Sequence, residues 1–244
     1  MSGEPWFLVD PLPGVGSFVL DGPEGRHAAT VRRMRPGESL VLTDGRGARA
    51  EATVTAAERS ALTLDVGTVT RVPGPALRIT LVQALPKGER SDLAVDLATE
   101  AGVDVLVPWQ AERCVARWSA DKAVRGAEKW RTVAREAAKQ SRRSWLPRVS
   151  DLATTADLVE LISHADGTLV LHESSAAPIT AATLPAHGDL VLVVGPEGGI
   201  APAELAALTG AGAQPVRLGP EVLRTSTAGA VALGALGVLT ERWS

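Results

Sequence analysis

Leu190-Val191-Leu192-Val193-Val194 runs without a charge into Gly195-Pro196-Glu197-Gly198-Gly199. Such a run has no polar side to turn toward water. It fits a strand buried on both faces, as in a parallel sheet covered by helices. The rest of the second half agrees. Strands are read at 77–84, 103–108, 168–171, 189–194 and 215–218. Helices are read at 90–101, 121–143, 202–208 and 226–241, so strand and helix alternate. The first part has another texture. Short strands at 17–20, 39–43, 48–55 and 61–66 are separated by turn residues such as Asp44-Gly45-Arg46-Gly47, with a short basic helix at 25–34. That pattern predicts a small β-barrel. Pro73-Gly74-Pro75 marks the change, giving an expected β-barrel domain at 1–73 and an α/β domain at 74–244.

Composition sets outer limits. The 244 residues are 45% hydrophobic, enough for a packed core. No window reaches the ~18–20 uncharged apolar residues of a membrane span. The start lacks the basic and apolar regions of a signal peptide, so a cytoplasmic location is expected. Cys114 is the single cysteine, which excludes an internal disulfide and a cysteine-cluster zinc site. His27, His164, His172 and His187 have no metal-ligand spacing, and no metal is expected.

The formal net charge of −3 hides an uneven distribution. Residues 1–73 carry 8 basic and 9 acidic side chains, residues 74–150 carry 14 and 9, and residues 151–244 carry 3 and 10. On the helix read at 121–143, Ala123, Ala127, Trp130, Val133, Ala134 and Ala137 share one face. Arg125, Lys129, Arg131, Arg135, Lys139 and Arg142 lie opposite. The stripe reads either as a solvated face or as a surface that neutralises phosphates.

Three strand ends carry the residues with chemistry. Gly195–Gly199 has neither the lysine of a phosphate-binding P-loop nor the dinucleotide fingerprint. Its glycines let backbone approach a ligand closely. Glu197 within it needs a partner or a task. Leu218-Gly219-Pro220 leads through Leu223-Arg224-Thr225-Ser226 into a helix, where Thr225 or Ser226 is the expected N-cap. No G-x-S-x-G elbow supports a hydrolase nucleophile. His172 and Glu173 end a third strand. In open α/β sheets such ends converge on a ligand crevice.

These segments resemble the RsmE family of 16S rRNA uracil-N3 methyltransferases, of the SPOUT class. The resemblance runs over nearly the whole chain. It includes Arg26-His27-Ala28, Val31-Arg32-Arg33-Met34, Lys87-Gly88, Thr99-Glu100-Ala101-Gly102-Val103 and Ala137-Ala138-Lys139-Gln140-Ser141-Arg142-Arg143. Its most specific parts are Gly195-Pro196-Glu197-Gly198-Gly199 and Leu218-Gly219-Pro220 followed by Leu223-Arg224-Thr225.

The resemblance implies a PUA-like β-barrel that grips RNA, and an α/β methyltransferase domain with a trefoil knot. It implies S-adenosyl-L-methionine held by Leu171, His172 and Glu173, by Val194, Gly195, Pro196, Glu197, Gly198 and Gly199, and by Leu218, Gly219, Leu223, Arg224 and Thr225. Arg224 and Glu197 are the expected catalytic residues. Arg26, His27, Arg32, Arg33, Lys87, Arg131, Arg135, Arg142 and Arg143 are the expected RNA contacts. The implied substrate is the small ribosomal subunit, methylated at N3 of uracil 1498 of the reference rRNA, and the implied assembly is a homodimer. Another RNA target for the same chemistry and a non-catalytic ribosome-assembly factor are the alternatives. The chain departs from the family in having Ser226 where a glutamate is usual, Leu97 where a lysine is frequent, and Trp6-Phe7 where an arginine is usual. A role for an acid at position 226 is therefore not carried over.

Overall fold

A computed structural model describes residues 3–243 in two compact units. Met1, Ser2 and Ser244, at the outer ends of the two expected domains, lie outside the described residues.

The first unit comprises residues up to Gly74 together with Ala138–Leu146. Its strands are β1 (Trp6–Leu8), β2 (Gly16–Leu20), β3 (Ser39–Thr43), β4 (Ala48–Ala57) and β5 (Leu62–Arg71). They form one sheet in the order β1-β3-β4-β5-β2. The pair β1–β3 is parallel and the rest are antiparallel. Inward and outward residues alternate along β4, so Ala50, Ala52 and Val54 join Leu40, Leu42, Leu62, Leu64 and Phe7 in the core. The short basic helix is α1 (Gly22–Arg26), continued by one π turn at His27–Val31.

Residues 138–146 were expected in the second domain but cluster with the first. The reasons are contacts within this unit between residues far apart in sequence. Trp145 Nε1 donates to the Val72 carbonyl at 3.0 Å, and Leu146 N–H donates to the Gly45 carbonyl at 2.9 Å. Lys139 lies 2.7 Å from Glu24 and is buried, rather than on the open basic face that helical period alone implies.

The second unit is built on β6 (Leu77–Ala84), α2 (Arg90–Glu100), β7 (Val105–Trp109), most of α3 (Ala120–Gln140), β8 (Arg148–Val149), α4 (Thr155–Ser163), β9 (Gly167–Leu171), β10 (Gly188–Val194), α5 (Pro202–Gly210), β11 (Gln214–Val216) and α6 (Thr225–Leu239). The six strands run in the order β11-β9-β10-β6-β7-β8, and every pair is parallel. Helices cover both faces. Leu81 packs against Gly229 of α6, while its neighbour Thr80 faces the side of Leu158 and Leu161 of α4. Leu190, Val191, Leu192 and Val193 are buried accordingly.

Because the strands are parallel, the loops after β6, β9, β10 and β11 all leave one edge of the sheet. Among the described residues no helix is long and apolar enough to cross a membrane.

Candidate active site

At that edge the loops after β9, β10 and β11 enclose a cavity of about 490 Å³. This is the size range of small-molecule sites. Leu171, His172 and Glu173 enter from β9, Val194 to Glu197 with Gly199 from β10, and Leu218, Gly219 and Leu223 to Thr225 from the segment after β11. Of the residues expected to hold a cofactor, only Gly198 is not on the wall. Arg113 sits against it, with its guanidinium donating to the Gly198 carbonyl at 3.3 Å. The walls also contain Pro220, Glu221 and Val222, which lie within the expected 218–225 cofactor loop, and Ile200, Arg217 and Ala228, which sequence reasoning missed. Ile200 and Arg217 directly adjoin Gly199 and Leu218, which were expected to hold the cofactor, and that adjacency was the available signal.

The Gly195–Gly199 turn has a definite shape. A Cβ on Gly195 would lie 2.6 Å from Ile200 Cγ1. Gly199 has φ +71°, in the left-handed region, and its N–H donates to the Pro196 carbonyl at 2.9 Å. Glu197 is exposed and among the described residues finds one partner, the Lys87 N–H, 3.2 Å from Oε1. The loop after β6 is thereby tied to the glycine-rich turn.

Arg224 is the N-cap of α6, with extended φ −68° and ψ +146°. Thr225 and Ser226, the expected caps, already lie inside the helix and are buried. The Arg224 carbonyl accepts from Thr227 N–H and Ala228 N–H, each at 2.9 Å. The backbone is held, and Arg224, exposed and with no side-chain partner among the described residues, is one of the residues lining the cavity. Gln83, buried at the end of β6, donates from Nε2 to the Thr225 carbonyl at 3.3 Å and fixes the same junction. Nearby, burial pushes the Cys114 thiol pKa up. The described residues contain no cluster of three or more His, Cys, Asp or Glu able to hold a metal.

The residues expected to contact RNA fall into distinct settings. In the first unit Arg26, Arg32, Arg33 and Arg142 are exposed. The His27 ring meets Phe7 edge-on at 5.9 Å. Arg143 is partly buried. In the second unit Lys87 and Arg135 are exposed. Arg131 is engaged: it lies 2.9 Å from Asp151 and 2.6 Å from Glu128, and Asp151 foremost raises its pKa.

Residues 73–237 match the model of the RNA methyltransferase domain, and residues 20–67 match that of the RNA methyltransferase PUA domain. "Ribosomal RNA small subunit methyltransferase E" of Mycobacterium bovis is 54% identical over 97% of this chain and 92% of that protein. The protein of the same name from Bacillus subtilis is 32% identical over 92% of this chain and 91% of its own length. A crystal structure of ribosomal RNA small subunit methyltransferase E from Neisseria gonorrhoeae, bound to S-adenosyl methionine, superposes with TM-score 0.86 at 28% identity and covers 98% of both chains. With its PUA-like unit, its parallel α/β unit and these relatives, the chain belongs to the ribosomal RNA small subunit methyltransferase E family.

Proposed function

We propose that this protein transfers the methyl group of S-adenosyl-L-methionine to N3 of one uracil in 16S rRNA of the small ribosomal subunit, the residue numbered 1498 in the reference rRNA. One observation carries the reading: Arg224, with no side-chain partner among the described residues, lines a cavity formed by three strand-end loops.

The cavity fits the cofactor. Leu171, Val194, Ile200 and Leu218 offer apolar wall for a purine ring. Glu173, Glu197 and Glu221 outnumber Arg217 and Arg224, which suits a ligand carrying a sulfonium. Thr225, only 5% exposed, also lines the cavity. When bound, S-adenosyl-L-methionine supplies an electrophilic methyl group.

The chain's own residues supply position and charge. N3 of uracil carries a proton between two carbonyls; loss of that proton leaves negative charge on those oxygens, which must be stabilised until N3 accepts the methyl group and the donor leaves as a neutral thioether. Arg224 donates to one of them from a backbone fixed by the start of α6. Glu197 holds the glycine-rich turn through Lys87 N–H, and the turn orients the cofactor for in-line attack. The N3 proton is taken up by solvent water at the cavity mouth, where Glu173 is exposed. A target base within structured RNA must be unstacked to enter.

Exposed Arg26, Arg32 and Arg33 of the first unit, with Lys87, Arg135, Arg142 and Arg143, are the proposed phosphate contacts, and His27 supports the first group by packing on Phe7. Arg131 serves as a structural tie between α3 and the 149–151 segment. The trefoil path belongs to this proposal. It is supported by the chain leaving the edge strand β11 and placing α6 against β6, three strands away. A homodimer and a cytoplasmic site of action complete the proposal. Arg224→Ala tests it: methyl transfer should be abolished while cofactor affinity stays nearly intact, and near wild-type turnover would refute the role.

A further inference from the structure

Glu204 is an acid in α5 that the proposed chemistry does not use, and it is 7% exposed. Its Oε1 accepts the Glu112 N–H at 2.9 Å and the Thr155 hydroxyl at 2.9 Å. Its Oε2 accepts the Ala201 N–H at 3.3 Å. Thr155 Oγ1 in turn accepts from Trp109 Nε1 at 3.3 Å. One buried carboxylate thus joins the loop after β7, the start of α4 and the exit of the glycine-rich turn.

Two of these anchors flank the cofactor loop. Ala201 follows Ile200, whose side chain occupies the space beside Gly195. Glu112 precedes Arg113, whose carbonyl and Cβ stand 3.2 Å from where a Cβ on Gly198 would lie. Fixing Ala201 fixes the end of the turn, and fixing Glu112 fixes the surface it rests on. We propose that Glu204 is a positioning residue for methyl-donor binding, holding the Gly195–Gly199 turn in its binding shape from behind. This rests on the reading that the turn binds S-adenosyl-L-methionine.

Charge and shape both matter in this role. All three donors point at oxygen, and a carboxylate accepts at both oxygens. In Glu204→Gln the amide NH₂ must replace one oxygen, so at least one donor then faces another donor. The alternative is a helix cap that stabilises α5 and nothing more.

Wild-type and Glu204→Gln proteins are titrated with S-adenosyl-L-methionine by calorimetry and melted in parallel. The expected result is a rise in Kd of about tenfold, about 1.4 kcal/mol. KM for the cofactor should rise in step. KM for rRNA and kcat at saturating cofactor should stay within about twofold. An unchanged Kd with a lowered Tm overturns the proposal and leaves Glu204 as a cap. A wild-type protein that does not bind the cofactor overturns the underlying reading as well, which separates the two failures. Should Glu204→Gln not fold, Thr155→Val removes one donor to the same carboxylate, together with the long 3.3 Å bond from Trp109 Nε1. Its Kd should rise about threefold, on the order of the net worth of one hydrogen bond, and Thr155→Ser should restore it. A wild-type Kd in Thr155→Val refutes the role.

Discussion

Replacing Gly199 by alanine isolates backbone conformation from packing. At φ +71° an added Cβ meets no atom within 4 Å, so nothing is pushed aside. The penalty is that of holding an L-residue in the left-handed region, roughly 1–2 kcal/mol. Gly210, at the end of α5, supplies the matched control. A Cβ there also meets nothing within 4 Å, and its φ is not in the left-handed region. Gly210→Ala should be neutral or stabilising by about 0.5–1 kcal/mol.

For Gly199→Ala the strain divides between two readouts. If the free turn stays in place, all of it appears as lost stability. If the turn relaxes when empty, the strain returns on binding and weakens S-adenosyl-L-methionine by about 5–30-fold. Thermal denaturation and cofactor calorimetry on both variants measure the two shares, whose total should be roughly 1–2 kcal/mol. A Gly199→Ala protein with wild-type Tm and wild-type Kd would refute the conformation assigned to the turn.

Further outcomes follow from other residues. Neutralising Arg26, Arg32 and Arg33 together should flatten the dependence of log K for rRNA on log salt, by about 0.7–0.9 for each phosphate no longer neutralised. Arg131→Ala should leave that slope unchanged and lower Tm, because its guanidinium already serves Asp151 and Glu128; filter binding across salt concentrations distinguishes them. Asp157 accepts from the Thr154 N–H at 2.8 Å, which foremost lowers its pKa. Its contribution is therefore present above the ordinary aspartate value of about 4 and disappears as pH falls through the lower folded value. Asp157→Asn should lose up to about 1 kcal/mol at pH 7 and converge with wild type in acid melts. Arg242 bonds Asp104 at 2.7 Å and the Gly102 carbonyl at 2.6 Å, and it also donates to the Leu77 carbonyl. Arg242→Ala leaves the little-exposed Asp104 without this partner and should cost about 3 kcal/mol by urea denaturation.

Much of the fold was legible because burial writes itself as period. The uncharged Leu190–Val194 run of β10 demanded cover on both faces, and β4 alternates from Ala48 to Thr55. Elements too short to show a period escaped: β1 is three residues and β8 is two. Helix α4 was missed although Thr154 and Asp157 form a capping box before Leu158 and Ile162. That signal was in the sequence. Lys139 was not legible in the same way, since its partner Glu24 is 115 residues distant. A helical period fixes which face a residue occupies, not what that face meets. The same holds for residues 138–146, whose bonds to Gly45 and Val72 are non-local.

The candidate site was more legible than the packing, because parallel strands force their C-terminal loops to one edge. The Arg224 cap shows the limit. A hydroxyl residue at 225 or 226 is the better cap by propensity, yet Arg224 keeps extended dihedrals and the helix starts one residue later. Glu204 carried no visible signal, since its partners at Glu112, Thr155 and Ala201 converge only in three dimensions.

The most direct measurement is the position of the methyl group. Small ribosomal subunits lacking the modification are incubated with the purified protein and labelled S-adenosyl-L-methionine, and the rRNA is digested and mapped by mass spectrometry. The expected result is one methyl group on N3 of a single uridine, the counterpart of 1498. A methyl group on another atom or another RNA, or none with folded protein and intact subunits, would contradict the proposed function.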